Sequence, residues 1–132
     1  MENEKDRLEN LDAEKFYFIL FNGTMMPNNR KFNKLSVFED TFIEETEESR
    51  RENLHDYYFI QLTINTIIKH LSNIEKLDSL KGEAVKNSHR NEFKLKINEK
   101  KISVNRNLLN DEGKRIYDEF INDLYKALNI KK

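Results

Sequence analysis

The segment from Leu54 to Ile74 constrains the fold more than any other part of the sequence. Apolar residues recur there at steps of three and four, at Tyr57, Ile60, Ile64, Ile67, Leu71 and Ile74. This spacing places them on one face of an α-helix, and Leu54, Tyr58, Leu62 and Ile68 widen that face. We therefore expect a helix from about Leu54 to Ile74 that is the central packing element of the core.

A second helix is predicted to begin at Val37. Ser36 and Glu39 have the spacing of a capping box, in which each side chain bonds the backbone N–H of the other residue. One unbroken helix over residues 37–77 would be about 60 Å long at 1.5 Å per residue, which is too long for a small domain. The sequence therefore predicts a break near Asn53 or a helix that projects into a partner.

The apolar run FYFILF, residues 16–21, has two interpretations. A run without polar gaps fits either a helix or a buried strand. Asp12 is a plausible N-cap and Gly23 a plausible residue after the last turn, so we favour a helix over residues 13–22 and keep the strand as the alternative. Residues 23–34, which include Pro27, are predicted to be a loop.

The pattern changes to a period of two at residues 93–97, where FKLKI alternates apolar residues with lysines. The sequence then turns back, so we expect a β-hairpin at about residues 92–105. Pairing Ile97 with Ile102 and Leu95 with Val104 would put the apolar side chains on one face. No Asn-Gly pair is present, which favours a four-residue turn.

The last segment is predicted to be helical, with one buried stripe formed by Ile116, Phe120, Ile121, Leu124 and Leu128. The expected fold is therefore α+β and predominantly α-helical, with three to four helices packed against one β-hairpin. A length of 132 residues predicts one domain, with residues 1–10 frayed.

Composition narrows the possible functions. The chain has no cysteine, which excludes disulfides, thiolate metal sites and a cysteine nucleophile. We expect a soluble, cytoplasmic protein, because the polar N-terminus is no secretory signal and the longest apolar run is too short to cross a membrane. Charge is uneven: residues 1–60 hold 14 acidic and 8 basic residues, whereas residues 81–106 hold 3 acidic and 8 basic ones. Such a chain suits a charged partner or a self-complementary dimer.

Arg50 and His55 have the spacing R-x4-H, which resembles the motif of HEPN-superfamily ribonucleases. The resemblance implies an α-helical fold and metal-independent RNA cleavage by a homodimer. It also implies that His55 would move the proton of the ribose 2′-hydroxyl or the leaving oxygen. Arg50 would hold the scissile phosphate.

The same segment has a simpler interpretation as an ion-paired helix surface, because Glu47 and Arg51 are four residues apart. The charged side chains here could also contact a protein partner, and the candidates are Glu44, Glu45, Glu47, Glu48, Arg51 and Glu52. Glu52 and His55 have one metal-ligand spacing, but no second such pair exists, so neither a metal site nor a cofactor is predicted.

The basic segment 81–106 is the third candidate site. Lys94, Lys96, Lys100 and Lys101 could follow a nucleic-acid backbone, although lysines on an exposed strand also prevent strands of different molecules from pairing. The sequence as a whole favours a non-catalytic interaction protein, such as a bacterial or phage regulator, inhibitor or immunity protein. The ribonuclease and the nucleic-acid-binding module are the alternatives.

Overall fold

The computed structural model describes residues 10–26, 29–84 and 89–130. Six strands form one antiparallel sheet in the order β4-β3-β2-β1-β5-β6. The strands are β1 (Tyr17–Met26), β2 (Asn29–Phe38), β3 (Thr41–Thr46), β4 (Arg50–Leu54), β5 (Arg90–Ile97) and β6 (Lys100–Asn105). The helices are α1 (Tyr57–Lys76) and α2 (Asp111–Leu128), and 3-10 turns lie at Leu11–Ala13, Leu77–Ser79 and Arg106–Leu108.

The prediction of a predominantly α-helical, α-rich domain is wrong. The described residues contain two α-helices rather than three or four, and the strands β1 to β4 occupy the region where two further helices were expected. Both helices pack on one side of the sheet, here called the helix side, and the opposite side is called the far side. The first ten residues, predicted to be frayed, lie outside the described residues except for Asn10.

The helix predicted over residues 13–22 is strand β1, at the centre of the sheet. Phe18 and Leu20 belong to the core beneath the helices, whereas Tyr17 packs with Phe38 and Ile43 on the far side. A strand that is covered on both sides needs apolar residues at successive positions. This explains why FYFILF shows neither the period of a strand nor that of a helix.

Gly23 does not end a helix but lies inside β1, opposite Phe32. Its φ is +152°, and a Cβ at this position would lie 2.3 Å from the carbonyl oxygen of Lys31 and 2.4 Å from the Cα of Phe32. Glycine therefore allows β2 to approach β1 closely. The loop predicted over residues 23–34 is also wrong, because β1 continues to Met26 and β2 starts at Asn29; Pro27 lies outside the described residues.

The capping box predicted at Ser36 does not form. Ser36 is a buried residue of β2, paired with Ile19 and Ile43, and its hydroxyl bonds to none of the residues that the structure describes. The chain reverses after Phe38 and returns as β3. Apolar side chains on both sides of a strand again removed the alternation that would have identified β2.

Strands β5 and β6 form a hairpin at the predicted residues, but its turn and register differ from the prediction. Leu95 pairs with Ile102, not with Val104. The turn has two residues, Asn98 and Glu99, with φ values of 51° and 65°. Two successive positive φ values define the type I′ turn, whose twist matches that of the flanking strands.

Both helices begin at a side-chain cap. The Asp56 carboxylate accepts a hydrogen bond from the N–H of Phe59 at 3.3 Å, and α1 begins at Tyr57, after the break predicted near Asn53. The Asn110 side chain likewise accepts from the N–H of Gly113 at 2.9 Å. The stripe predicted for α2 is confirmed, because Ile116, Phe120, Ile121, Leu124 and Leu128 are all buried.

The two helices are joined on their surface through Asp123 of α2. Its carboxylate is 2.8 Å from Nε2 of His70 and 3.1 Å from Nζ of Lys69, both on α1. The hydrogen bond from His70, followed by that from Lys69, lowers the pKa of Asp123 below its usual value of 3.8. The folded protein therefore holds this carboxylate in its charged form more strongly than the unfolded chain does.

Asp123→Asn is expected to lower the free energy of unfolding at pH 7 by up to about 1 kcal/mol, because these side chains are partly exposed. Because the pKa of Asp123 is lower in the folded protein, its charged carboxylate stabilises the fold at pH values above the pKa of the unfolded chain. This stabilisation is lost as the pH falls through the pKa of the folded protein. The variant and the wild type should therefore converge towards pH 2 to 3, which urea denaturation at both pH values would measure. Asp78→Asn is the control, because that side chain is 99% exposed. An equal loss at pH 7 and at low pH would contradict the expectation.

Candidate interaction surface

Strand β4 forms one edge of the sheet, and part of its backbone is open for pairing. The N–H of His55 donates to the carbonyl of Asp40 on the adjacent hairpin segment at 2.6 Å. Antiparallel pairs alternate between bonded and non-bonded residues. The backbone groups of Glu52 and Leu54 therefore point away from β3, towards the open edge.

Large apolar side chains are exposed beside this edge. Leu54 ends β4 with 55% of its surface exposed, and Tyr57 and Tyr58 in the first turn of α1 are 58% and 71% exposed. Further along the helix, Ile68 is 55% exposed. At about 100° per residue, the exposed residues among positions 57–68 fall within an arc of about 100°. They form the uncharged face of α1, which consists of Tyr57, Tyr58, Gln61, Asn65 and Ile68.

This face lacks charge in a chain where 36% of the residues are charged. Residues 57–68 include no Asp, Glu, Lys or Arg, and Gln61 bonds to Asn65 at 2.8 Å. The exposed side of α2 is different, because Arg115 there forms ion pairs with Glu112 and Glu119. Protein interfaces are depleted of charge at their centre and enriched in tyrosine, so the difference marks α1 as the candidate for contact.

The sequence prediction placed these same residues in the core. Ile60, Ile67 and Ile74 are buried as expected, but Leu54, Tyr57, Tyr58 and Ile68 are not. The apolar positions of this segment cover more of the helix circumference than the sheet and α2 can contact. The signal that could have identified the surface is the uncharged stretch of residues 57–68, which periodicity alone does not detect.

The structure does not bring Arg50 and His55 together. Arg50 is the first residue of β4, and its guanidinium binds the Glu52 carboxylate at 2.8 Å. His55 follows the strand with φ +60°, and its Nδ1 is 2.9 Å from the hydroxyl of Tyr57. Five residues of extended chain separate their Cα atoms by roughly 16 Å. The helix implied around this motif is a strand and a turn.

The six charged residues proposed for partner binding do not form one block. Glu45 and Glu52 lie on the far side, Glu44 and Arg51 on the helix side, and Glu47 and Glu48 in the turn between β3 and β4. Glu47 accepts a hydrogen bond from the N–H of Phe32 at 3.0 Å, and this bond lowers its pKa. Its contact is thus with β2, within the same sheet.

The basic residues of the hairpin are also divided. Lys94, Lys96 and Lys101 lie on the far side, whereas Lys100 lies at the helix side and binds Glu75 of α1 at 2.8 Å. Lys96 donates to the carbonyl of Asp12 at 3.0 Å, and Lys101 pairs with the carboxylate of Asp12. These contacts hold the N-terminal 3-10 turn against the sheet. Nucleic-acid binding through the four lysines stays a prediction.

Three further observations bear on the function. Within residues 10–26, 29–84 and 89–130, no group of three or more His, Asp or Glu side chains is placed to hold a metal ion. No helix in the same ranges has both the length and the apolar character needed to span a membrane. No protein-family model matches the chain, and no curated protein matches its sequence.

Proposed function

We propose that the protein is a non-catalytic interaction module that binds a protein partner through the uncharged face of α1. The observation that carries the proposal is the exposure of Tyr57, Tyr58 and Ile68 on a helix surface without charge. Exposed apolar side chains grouped in this way are typical of contact surfaces. Tyrosine contributes a large contact area and a hydroxyl that bonds at the rim.

The chemistry of this surface favours a protein over a nucleic acid. Phosphate groups are bound chiefly by lysine and arginine, and residues 57–68 include neither. Along α1, the first charged residues on either side of this face are Asp56, which caps the helix, and Lys69. An uncharged centre with a charged rim is the usual organisation of a protein interface.

The edge of β4 extends the proposed surface. Residues 57–68 cover about 18 Å of a helix that is only about 10–12 Å wide. This area alone is smaller than the roughly 800 Å² that each partner of a stable interface usually buries. The open backbone groups of Glu52 and Leu54 lie next to the exposed tyrosines along the chain. A partner that adds an extended segment to β4 would gain main-chain hydrogen bonds, while α1 would provide the apolar contact.

Site-specific photo-crosslinking tests the proposal. A photoreactive phenylalanine replaces Tyr58 in one variant and Glu119, on the charged face of α2, in a control variant. In cells of the source organism, we expect a discrete adduct from position 58 that position 119 does not give, and we expect Ile68→Lys to remove it. The same pattern of adducts from both positions would contradict the proposal. Two differently tagged copies would reveal whether the partner is a second copy.

An RNA cleavage assay separates this proposal from the ribonuclease alternative. Wild type and His55→Ala are incubated with RNA in EDTA, and we expect intact RNA with both. The reason is that Arg50 and His55 lie at opposite ends of β4, each bonded to another side chain. Cleavage by the wild type that His55→Ala abolishes would make the protein a ribonuclease instead.

A further inference from the structure

A cleft of about 400 Å³ lies on the helix side of β3 and β4, where the sheet extends beyond the ends of α1 and α2. Its apolar part consists of Phe42, Phe59, Leu128 and Ile130. The rings of Phe42 and Phe59 are stacked with their centroids 5.3 Å apart. The volume falls within the range of about 300–1,000 Å³ that small-molecule sites occupy.

Two side chains of opposite charge line this cleft and do not form an ion pair with each other. Glu44 of β3 and Arg51 of β4 are directly opposite across the strand pair and both line the cleft. In the described part of the chain they form neither an ion pair within 4 Å nor a side-chain hydrogen bond with any residue. The charge of Glu44 also acts on Tyr125 of α2: burial raises the pKa of Tyr125, a hydrogen bond with Asn22 lowers it, and the charge of Glu44 raises it.

Amide groups border the same charges. Asn33 of β2 and Asn53 of β4 line the cleft on either side of Glu44 and Arg51, and Asn129 closes it at the end of α2. An amide can donate and accept hydrogen bonds, so these side chains suit a ligand that has groups of both kinds.

We propose that this cleft binds a free apolar α-amino acid, with its ammonium group at Glu44, its carboxylate at Arg51 and its side chain against Phe42 and Phe59. An α-amino acid has two opposite charges on adjacent groups, which matches two opposite charges on directly paired residues. Bonds between charged partners are stronger than neutral ones, and arginine suits a carboxylate because its planar fork can bond both oxygens. This site is separate from the uncharged face of α1 and does not depend on the proposed protein partner.

The test is a titration of the ¹⁵N-labelled protein with L-leucine and L-phenylalanine, followed by NMR. We expect saturable shifts of the amide signals of Asn33, Glu44, Arg51 and Asn53. The capped compound N-acetyl-L-leucine amide lacks both charges, so we expect it to bind at least about tenfold more weakly. Absence of shifts up to about 20 mM amino acid, or equal binding of the capped compound, would overturn the proposal.

Two variants test whether Arg51 and Glu44 contact the charged groups of the ligand. Arg51→Gln and Glu44→Gln keep the size of each side chain and remove its charge, and each should raise the Kd for leucine at least about tenfold. Arg115→Gln on the outside of α2 is the matched control and should leave the Kd unchanged. The dispersion of the same spectra verifies that each variant is folded. Unchanged affinity in both cleft variants would rule out the proposed contacts.

Discussion

Phe18→Ala is expected to lower the free energy of unfolding by about 3–5 kcal/mol, the usual cost of removing a fully buried aromatic side chain. Phe18 is 0% exposed, and its ring centroid lies 5.6 Å from that of Phe93 and 5.8 Å from that of Phe120. It therefore joins β1, β5 and α2 at one point of the core. Urea denaturation followed by circular dichroism would measure the loss, which is a large part of the roughly 5–15 kcal/mol that stabilises a domain.

Phe21→Ala is the matched control, because Phe21 lies on the same strand with its side chain on the far side. Its ring stacks on Phe32 and lies beneath the guanidinium of Arg90, but it remains partly exposed. We expect a loss of about 1–2 kcal/mol, since less apolar surface returns to water. Equal losses at Phe18 and Phe21 would show that β1 is not covered as described.

Gly23→Ala is expected to lower the free energy of unfolding by about 3 kcal/mol or more. The added methyl group would overlap the carbonyl oxygen of Lys31 and the Cα of Phe32, and backbone atoms cannot move aside as a flexible side chain can. A φ of +152° is also unfavourable for alanine. The strands would have to separate at the pair formed by Gly23 and Phe32. Thermal and urea unfolding would both measure the effect.

The control for Gly23→Ala is Ser103→Ala on the edge strand β6, where the side chain is exposed. Exposed substitutions of this kind change the free energy of unfolding by less than about 0.5 kcal/mol. A Gly23→Ala variant as stable as Ser103→Ala would mean that β1 and β2 do not pack at the described distance.

The elements that sequence reasoning identified are those with one buried side. In α2, one side faces the sheet and the other faces solvent, so its period of 3.6 is visible in the sequence. The hairpin of β5 and β6 alternates apolar residues with lysines for the same reason. Its turn and its register were missed, because Asn98 and Glu99 adopt positive φ without a glycine and so form a two-residue turn.

The elements that were missed carry apolar side chains on both sides of the sheet. Strand β1 has apolar residues at successive positions, and β2 has Val37 on the helix side directly followed by Phe38 on the far side. Neither strand then shows a period of two. The local signals that remained, a possible cap at Asp12 and a capping box at Ser36, favoured helices. Tertiary burial overrode these local preferences, as pairing within a sheet often does.

The candidate site was predicted least well, because exposure depends on the arrangement of neighbouring elements. Tyr58 and Ile68 have the composition and spacing of core residues, and only the packing of α1 against α2 and the sheet leaves them exposed. The sequence analysis instead proposed sites at the charged residues near Arg50. On alternating sides of a strand, consecutive charges such as Glu44 and Glu45 point in opposite directions.

The position of β1 between β2 and β5 has a consequence for the order of folding. Strand β1 can pair with β2 as soon as residues 17–38 have been synthesised. Its other edge pairs with β5, so Tyr17 can pair with Lys96 only after that much later residue has been added to the chain. During synthesis, the most apolar strand of the protein therefore leaves the ribosome long before its second neighbour does. Contacts between distant residues slow folding, and an unpaired strand edge invites aggregation in the interval. Early pairing with β2 therefore satisfies only one edge of β1, and the other edge stays open until β5 is made.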